Sequence, residues 1–158
     1  MENYMKKYMV DSNILIEYFK DTPEAVKIIE TIRKKNTSEY YIIIDTLEEI
    51  LYILVRHLSE KSYWELKNNP EIAKEYYETL IPLIEAIIKS TFKILPTTQK
   101  TFKTFMKICK KYGLLPKDAL LLTLCIDNKI NNIITLDTDF KNLDLKKIKI
   151  ISSAKDIK

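Results

Sequence analysis

Glycine is nearly missing from this chain: Gly113 is the only one in 158 residues. Phosphate-cradling loops and dinucleotide-binding turns need several glycines at fixed spacing, so both are excluded. Histidine is as scarce. His57 stands alone beside Arg56, late in a predicted helix, which excludes a Cys/His zinc site and makes a Ser-His-Asp triad a poor reading. The two cysteines, Cys109 and Cys125, fall in predicted helices among apolar neighbours and read as reduced, buried thiols. No apolar run is long enough to cross a bilayer, and the opening MENYMKKYMV lacks the long apolar core of a signal peptide. A cytoplasmic protein with no membrane partner is expected. There is no internal repeat, linker or low-complexity segment, and many Ile, Lys and Glu beside a single Gln suit a thermophile.

What is present describes a globular chain, 46% hydrophobic and 30% charged, with length for one domain over residues 1–158. The net charge of +4 permits a nucleic-acid partner without requiring one. Strands and helices alternate. Tyr8-Met9-Val10, 40–44, 92–95, Ile133-Ile134-Leu136 and 148–151 read as short apolar strands. Between them the sequence predicts helices over 14–19, with Ser12 or Asn13 as N-cap, and over 23–35, opened by Pro23. A third helix carries Ile50, Leu51, Ile53, Leu54 and Leu58 on its core side. Residues 59–69 form a polar interruption. A long helix over 70–90 shows a stripe of Ile72, Tyr76, Leu80, Leu83, Ile84, Ile87 and Ile88, kinked at Pro82. A helix carrying Phe102, Phe105, Met106 and Cys109 is capped by Thr97 or Thr98 and ends at Gly113. The helix from Asp118 is apolar almost all round and so buried. Uninterrupted apolar strands alternating with helices predict an α/β fold with a parallel sheet covered on both faces.

In such sheets, sites lie beyond the carboxyl ends of the strands. Asp11 follows the first strand, Asp45 and Glu49 the second, Asp137 and Asp139 the fourth, and Asp118 opens the buried helix. Each acid has a plain structural reading. Asp118 suits the positive end of a helix dipole, Asp11 a turn, Glu49 a capping box with Thr46, and Asp137 and Asp139 a turn. Glu48 reads as solvent-facing and Asp45 stays open. Their joint placement at one sheet edge favours chemistry. Carboxylates about 5 Å apart repel by roughly 3 kcal/mol per pair at an effective dielectric near 20. Shared protons or a hard cation must offset this. With no His or Cys cluster, an all-oxygen Mg²⁺ or Mn²⁺ site is the consistent choice, and such an ion cleaves phosphodiesters by activating water.

Four motifs then resemble the PIN-domain family, including the toxin ribonucleases of VapBC-type pairs. They are Met9-Val10-Asp11-Ser12-Asn13, Thr46-Leu47-Glu48-Glu49 with Tyr52 three residues on, Asp118-Ala119 opening an apolar helix, and Thr135-Leu136-Asp137-Thr138-Asp139-Phe140 after a strand. The resemblance runs from Met9 to about Ile151. It implies a three-layer α/β/α sandwich with a parallel five-stranded sheet, and Mg²⁺- or Mn²⁺-dependent cleavage of RNA. It implies that Asp11, Glu49, Asp118 and Asp137 hold the metal, with Asp139 in or near the shell, while Asn13 and Thr135 orient the acids. A homodimer and an antitoxin partner are further expectations. The chain departs from the compact toxins in a helical extension over about 59–90. Its stripe reads as core or as a surface for a second copy or an antitoxin helix. The aromatic pairs Tyr63-Trp64 and Tyr76-Tyr77, set beside lysines, read as core packing. They also motivate the alternative of a non-catalytic RNA-binding or partner-docking module.

Overall fold

The computed structural model describes residues 5–158; Met1 to Tyr4, and with them part of the leader-peptide reading, lie outside the described residues. Five parallel strands form one sheet: β1 (Lys6–Val10), β2 (Ser38–Ile43), β3 (Lys93–Leu95), β4 (Asn132–Ile134) and β5 (Lys149–Ile151), in the order β3-β2-β1-β4-β5. The chain builds outward from β1 in one direction and then returns to its other side. The carboxyl end of β1, beside β4, is therefore the switch point where α/β sheets open a crevice.

Alternation along each strand divides the core into two layers. Tyr8 and Val10 of β1, Ile42 of β2 and Ile134 of β4 join one apolar cluster; Met9, Ile43 and Ile133 join the other. The first layer is covered by α1 (Ser12–Phe19), α2 (Pro23–Lys34), α3 (Ile44–Ser59) and α5 (Pro70–Thr91). The second is covered by α6 (Gln99–Tyr112) and α7 (Pro116–Asp127). The expected α/β/α sandwich is the fold observed. No helix among the described residues is long and apolar enough to cross a membrane.

Several local expectations are corrected. The N-cap of α1 is Asp11, whose side chain accepts from the Ser12 N–H; helical geometry begins at Ser12, two residues before the apolar pattern at Ile14. The helix after β2 starts at Ile44, so Thr46 lies inside it, and no capping bond from Thr46 forms. The polar stretch 59–69 contains a short helix, α4 (Tyr63–Asn68), started by a capping box in which Ser62 and Glu65 satisfy each other's backbone N–H. Its single buried residue, Leu66, is the anchor that pays for its order. Leu80, Ile84, Ile87 and Ile88 of α5 are core, whereas Leu83 is exposed. Leu58, Phe102 and Met106 also face outward; the buried side of α6 uses Thr101 and Ile108 instead. Gly113 ends α6 in the left-handed region at φ 66°, where glycine is strain-free. Cys125 is buried and Cys109 partly so, both unpaired with each other.

Candidate active site

The crevice is built from short segments just past the strands. Asp11 follows β1 directly and is 1% exposed. Its Oδ1 accepts from the Ser12 N–H at 2.7 Å. Its Oδ2 accepts from Thr135 Oγ1 at 2.8 Å and from Asn13 Nδ2 at 3.1 Å. Asn13 Nδ2 also donates to Thr135 Oγ1 at 2.9 Å, and Asn13 Oδ1 accepts from the Leu136 N–H at 3.2 Å. Thr135, fully buried, accepts from the Asp137 N–H at 3.0 Å. One Asn and one Thr thus tie the end of β1 to the loop after β4 and hold Asp11 Oδ2, while the Ser12 N–H holds Oδ1. A buried charge is tolerated only with such partners.

Asp137 closes a turn by accepting from the Asp139 N–H at 3.0 Å. An extended backbone would have sent both acids to one side; the turn instead leaves Asp137 partly buried and Asp139 exposed. Phe140, 1% exposed, anchors this turn in the core. Glu49 stands in the second turn of α3, partly buried, and accepts from the Ser12 hydroxyl. Glu48 is exposed, as expected, and Asp45 is intermediate.

Lys117 is the residue that sequence reasoning missed. Its ammonium pairs with Glu49, donates to Ser12 Oγ, and lies 3.5 Å from Asp11. Burial acts to lower the Lys117 pKa, but the Asp11 and Glu49 carboxylates outweigh it and the pKa is raised. A clue was available. Lys117 sits in the first turn of α7, where the helix dipole disfavours a cation unless carboxylates are close.

Asp118, next in line, is pushed up to about 6 by burial first and then by Asp11, with Asp137 and Asp139 adding and Lys117 opposing. The pocket holds more negative charge than Lys117 balances. Its donors are carboxylate and hydroxyl oxygens, the chemistry a hard divalent cation prefers. Yet among the described residues no three acidic, His or Cys side chains are drawn together into a ready cation cage. Beside the acids runs an open groove of about 650 Å³, lined by Glu49, Tyr52, Phe102, Phe105, Pro116 and Leu120 among others.

This arrangement has relatives. The family model described as PIN domain matches residues 8–146. The chain belongs to the PIN domain family. Among curated PIN relatives, Ribonuclease VapC2 of Methanocaldococcus jannaschii is 34% identical over 142 residues, covering 90% of this chain and 92% of its own. Ribonuclease VapC6 of the same organism is 25% identical, covering 88% and 94%. A toxin–antitoxin complex from Klebsiella pneumoniae contains a chain of the same PIN fold, with TM-score 0.61, 18% identity and coverage of 92% and 96%. VapBC-1 from nontypeable Haemophilus influenzae gives 0.60, 17%, and 94% and 98%. The PIN match spans all four motifs that carried the resemblance.

Proposed function

We propose that this PIN protein is an endoribonuclease that cleaves RNA phosphodiester bonds with Mg²⁺ or Mn²⁺, acting as the toxin of a toxin–antitoxin pair. The observation that carries the reading is Asp11. It is a buried carboxylate held on both oxygens by Ser12, Asn13 and Thr135 at the switch point of the sheet, with Asp118 raised beside it. Asp11, Glu49, Asp118 and Asp137 would hold the ion, with Asp139 at the margin. When bound, the ion supplies a Lewis acid and lowers the pKa of an attacking water. Asn13 and Thr135 keep Asp11 from rotating, and Lys117 places positive charge inside a ring of acids that would otherwise repel a polyanion. The toxin role is supported by the VapC relatives and by the toxin–antitoxin complexes that share the fold. An antitoxin partner, a homodimer, a cytoplasmic setting, and one PIN-like domain over 1–158 with its helical extension at 59–90 belong to the same proposal.

The test is an RNA cleavage assay with Mg²⁺ or Mn²⁺ against EDTA. Cleavage that persists unchanged in EDTA would overturn metal dependence. Thr135→Val gives a finer check. It keeps the side-chain shape but removes the hydroxyl that bonds Asp11, Asn13 and the Asp137 N–H, so a folded variant slowed about 10–100-fold is expected.

A non-catalytic PIN-like module is the second reading, and Lys117 favours it, because it pairs with Asp11 and Glu49 and offsets part of their charge from within the chain. A thermal-shift titration separates the two. Stabilisation by Mn²⁺ supports the nuclease; RNA binding with no response to Mn²⁺ and no cleavage supports the module.

A further inference from the structure

Outside the acidic crevice, the most unusual surface is on α4 and the facing turn of α3. Trp64, the only tryptophan in the chain, is 65% exposed, and Tyr63 is 47% exposed. The core-packing reading of this pair is thereby corrected. The rings are not scattered: Tyr63 meets Trp64 edge-to-face at 5.2 Å, and Tyr52 meets Tyr63 at 6.3 Å. Cations sit over them. Lys67 Nζ is 5.1 Å from the Trp64 ring and 5.6 Å from the Tyr63 ring, and the Arg56 guanidinium is 5.7 Å from the Tyr52 ring. Neither Arg56 nor Lys67 has a carboxylate partner among the described residues. Glu65, the acid on the same short helix, is already committed to the Ser62 N–H and to Lys61.

This track leads into the crevice. Tyr52 lies one helical turn beyond Glu49 on α3 and lines the same groove. A row of exposed aromatic faces, flanked by free cations and ending at a phosphodiester-cleaving site, has the composition of a single-strand platform. Unpaired bases stack on the rings while the cations meet the backbone. A protein partner would be expected to find a recessed apolar pocket; here the rings are exposed and carry ammonium and guanidinium groups beside them, which suits a flexible polyanion better.

We propose that Tyr52, Tyr63 and Trp64, with Arg56 and Lys67, form a stacking platform for unpaired RNA bases flanking the bond to be cut. The proposal rests on the ribonuclease reading for its purpose, though its binding step does not need catalysis.

Trp64 reports on its own surroundings. The full-length protein in EDTA should lose tryptophan fluorescence on titration with a short 2′-O-methyl oligouridine, and much less with the same strand annealed to its complement. Trp64→Ala and, followed through Trp64, Tyr63→Ala should each weaken single-strand binding about tenfold, the former read by anisotropy of a labelled strand. In the cleavage assay, Trp64→Ala should raise KM for a long single strand about tenfold while leaving kcat for a dinucleotide unchanged. Unaltered fluorescence, binding and KM would overturn the platform while leaving the nuclease intact. Fluorescence that changes with protein concentration instead of RNA would overturn it in favour of a second copy on this face. Quenching by RNA with no cleavage by the wild type would uphold the platform and defeat the nuclease.

Discussion

Asp118→Asn is expected to abolish Mn²⁺-dependent RNA cleavage while making the metal-free protein harder to melt. The loss of activity should exceed the roughly 10–100-fold typical of residues that only orient a ligand. The gain in stability follows from the crowding around Asp118. Burial and then Asp11 raise its carboxyl from 3.8 to about 6. Above about pH 6 it is ionised whether the chain is folded or not, and the folded state bears the whole penalty. Below 3.8 it is neutral in both states and the penalty vanishes. Asparagine removes the charge, so its advantage is full at neutral pH and fades as the pH falls from about 6 towards 4. A rise from 3.8 to about 6 corresponds to roughly 3 kcal/mol at about 1.36 per unit. Asp118 is only partly buried, and solvent screening reduces the expectation to about 1 kcal/mol, or a Tm rise of about 2–4 °C. Melting curves in EDTA at neutral and mildly acidic pH check this. Wild-type cleavage by a folded Asp118→Asn protein would defeat the assignment of Asp118.

Phe140→Ala should give the largest loss of stability, about 3–5 kcal/mol. Phe140 is 1% exposed, packs in the cluster beneath α6 and α7, and follows Asp139 directly. Its ring holds down the turn in which the Asp139 N–H bonds Asp137, so truncation opens a cavity and frees that turn together. Chemical denaturation should show the loss, with a Tm about 10 °C lower, and Mn²⁺ should stabilise the variant less than the wild type. Asp139→Asn is the control. Asp139 is exposed, and its replacement should change stability by no more than about 0.5 kcal/mol. An equally small effect for Phe140→Ala would show that the turn does not depend on its anchor.

The sheet was legible because its strands are unbroken apolar runs whose alternate residues serve two cores. Tyr8 and Val10 go one way and Met9 the other. The acids were legible for a related reason: a carboxylate has few grounds to follow a buried strand at once. Asp11 and Asp137 do sit in one hydrogen-bonded crevice through Asn13 and Thr135. The start of α3 was misjudged because Ile44 continues the apolar run of β2 although its backbone is already helical. Helix α4 was read as a polar interruption because it buries only Leu66, leaving almost no periodicity to detect. The outward-facing Phe102 and Met106 show the limit of pattern reading: hydrophobic spacing gives a helix its face but does not reveal whether the chain folds anything over it. Lys117 escaped because its role depends on Asp11 and Glu49, which approach it only in three dimensions.

The two outer strands, β3 and β5, are each three residues long, and each opens on a lysine, Lys93 or Lys149. A ribbon so short, with charge at its head, is a poor template for another chain to add a strand. Copies of this protein are therefore steered away from open-ended strand-to-strand growth, and any assembly they form must be built from side-chain surfaces, where its size can be limited by shape.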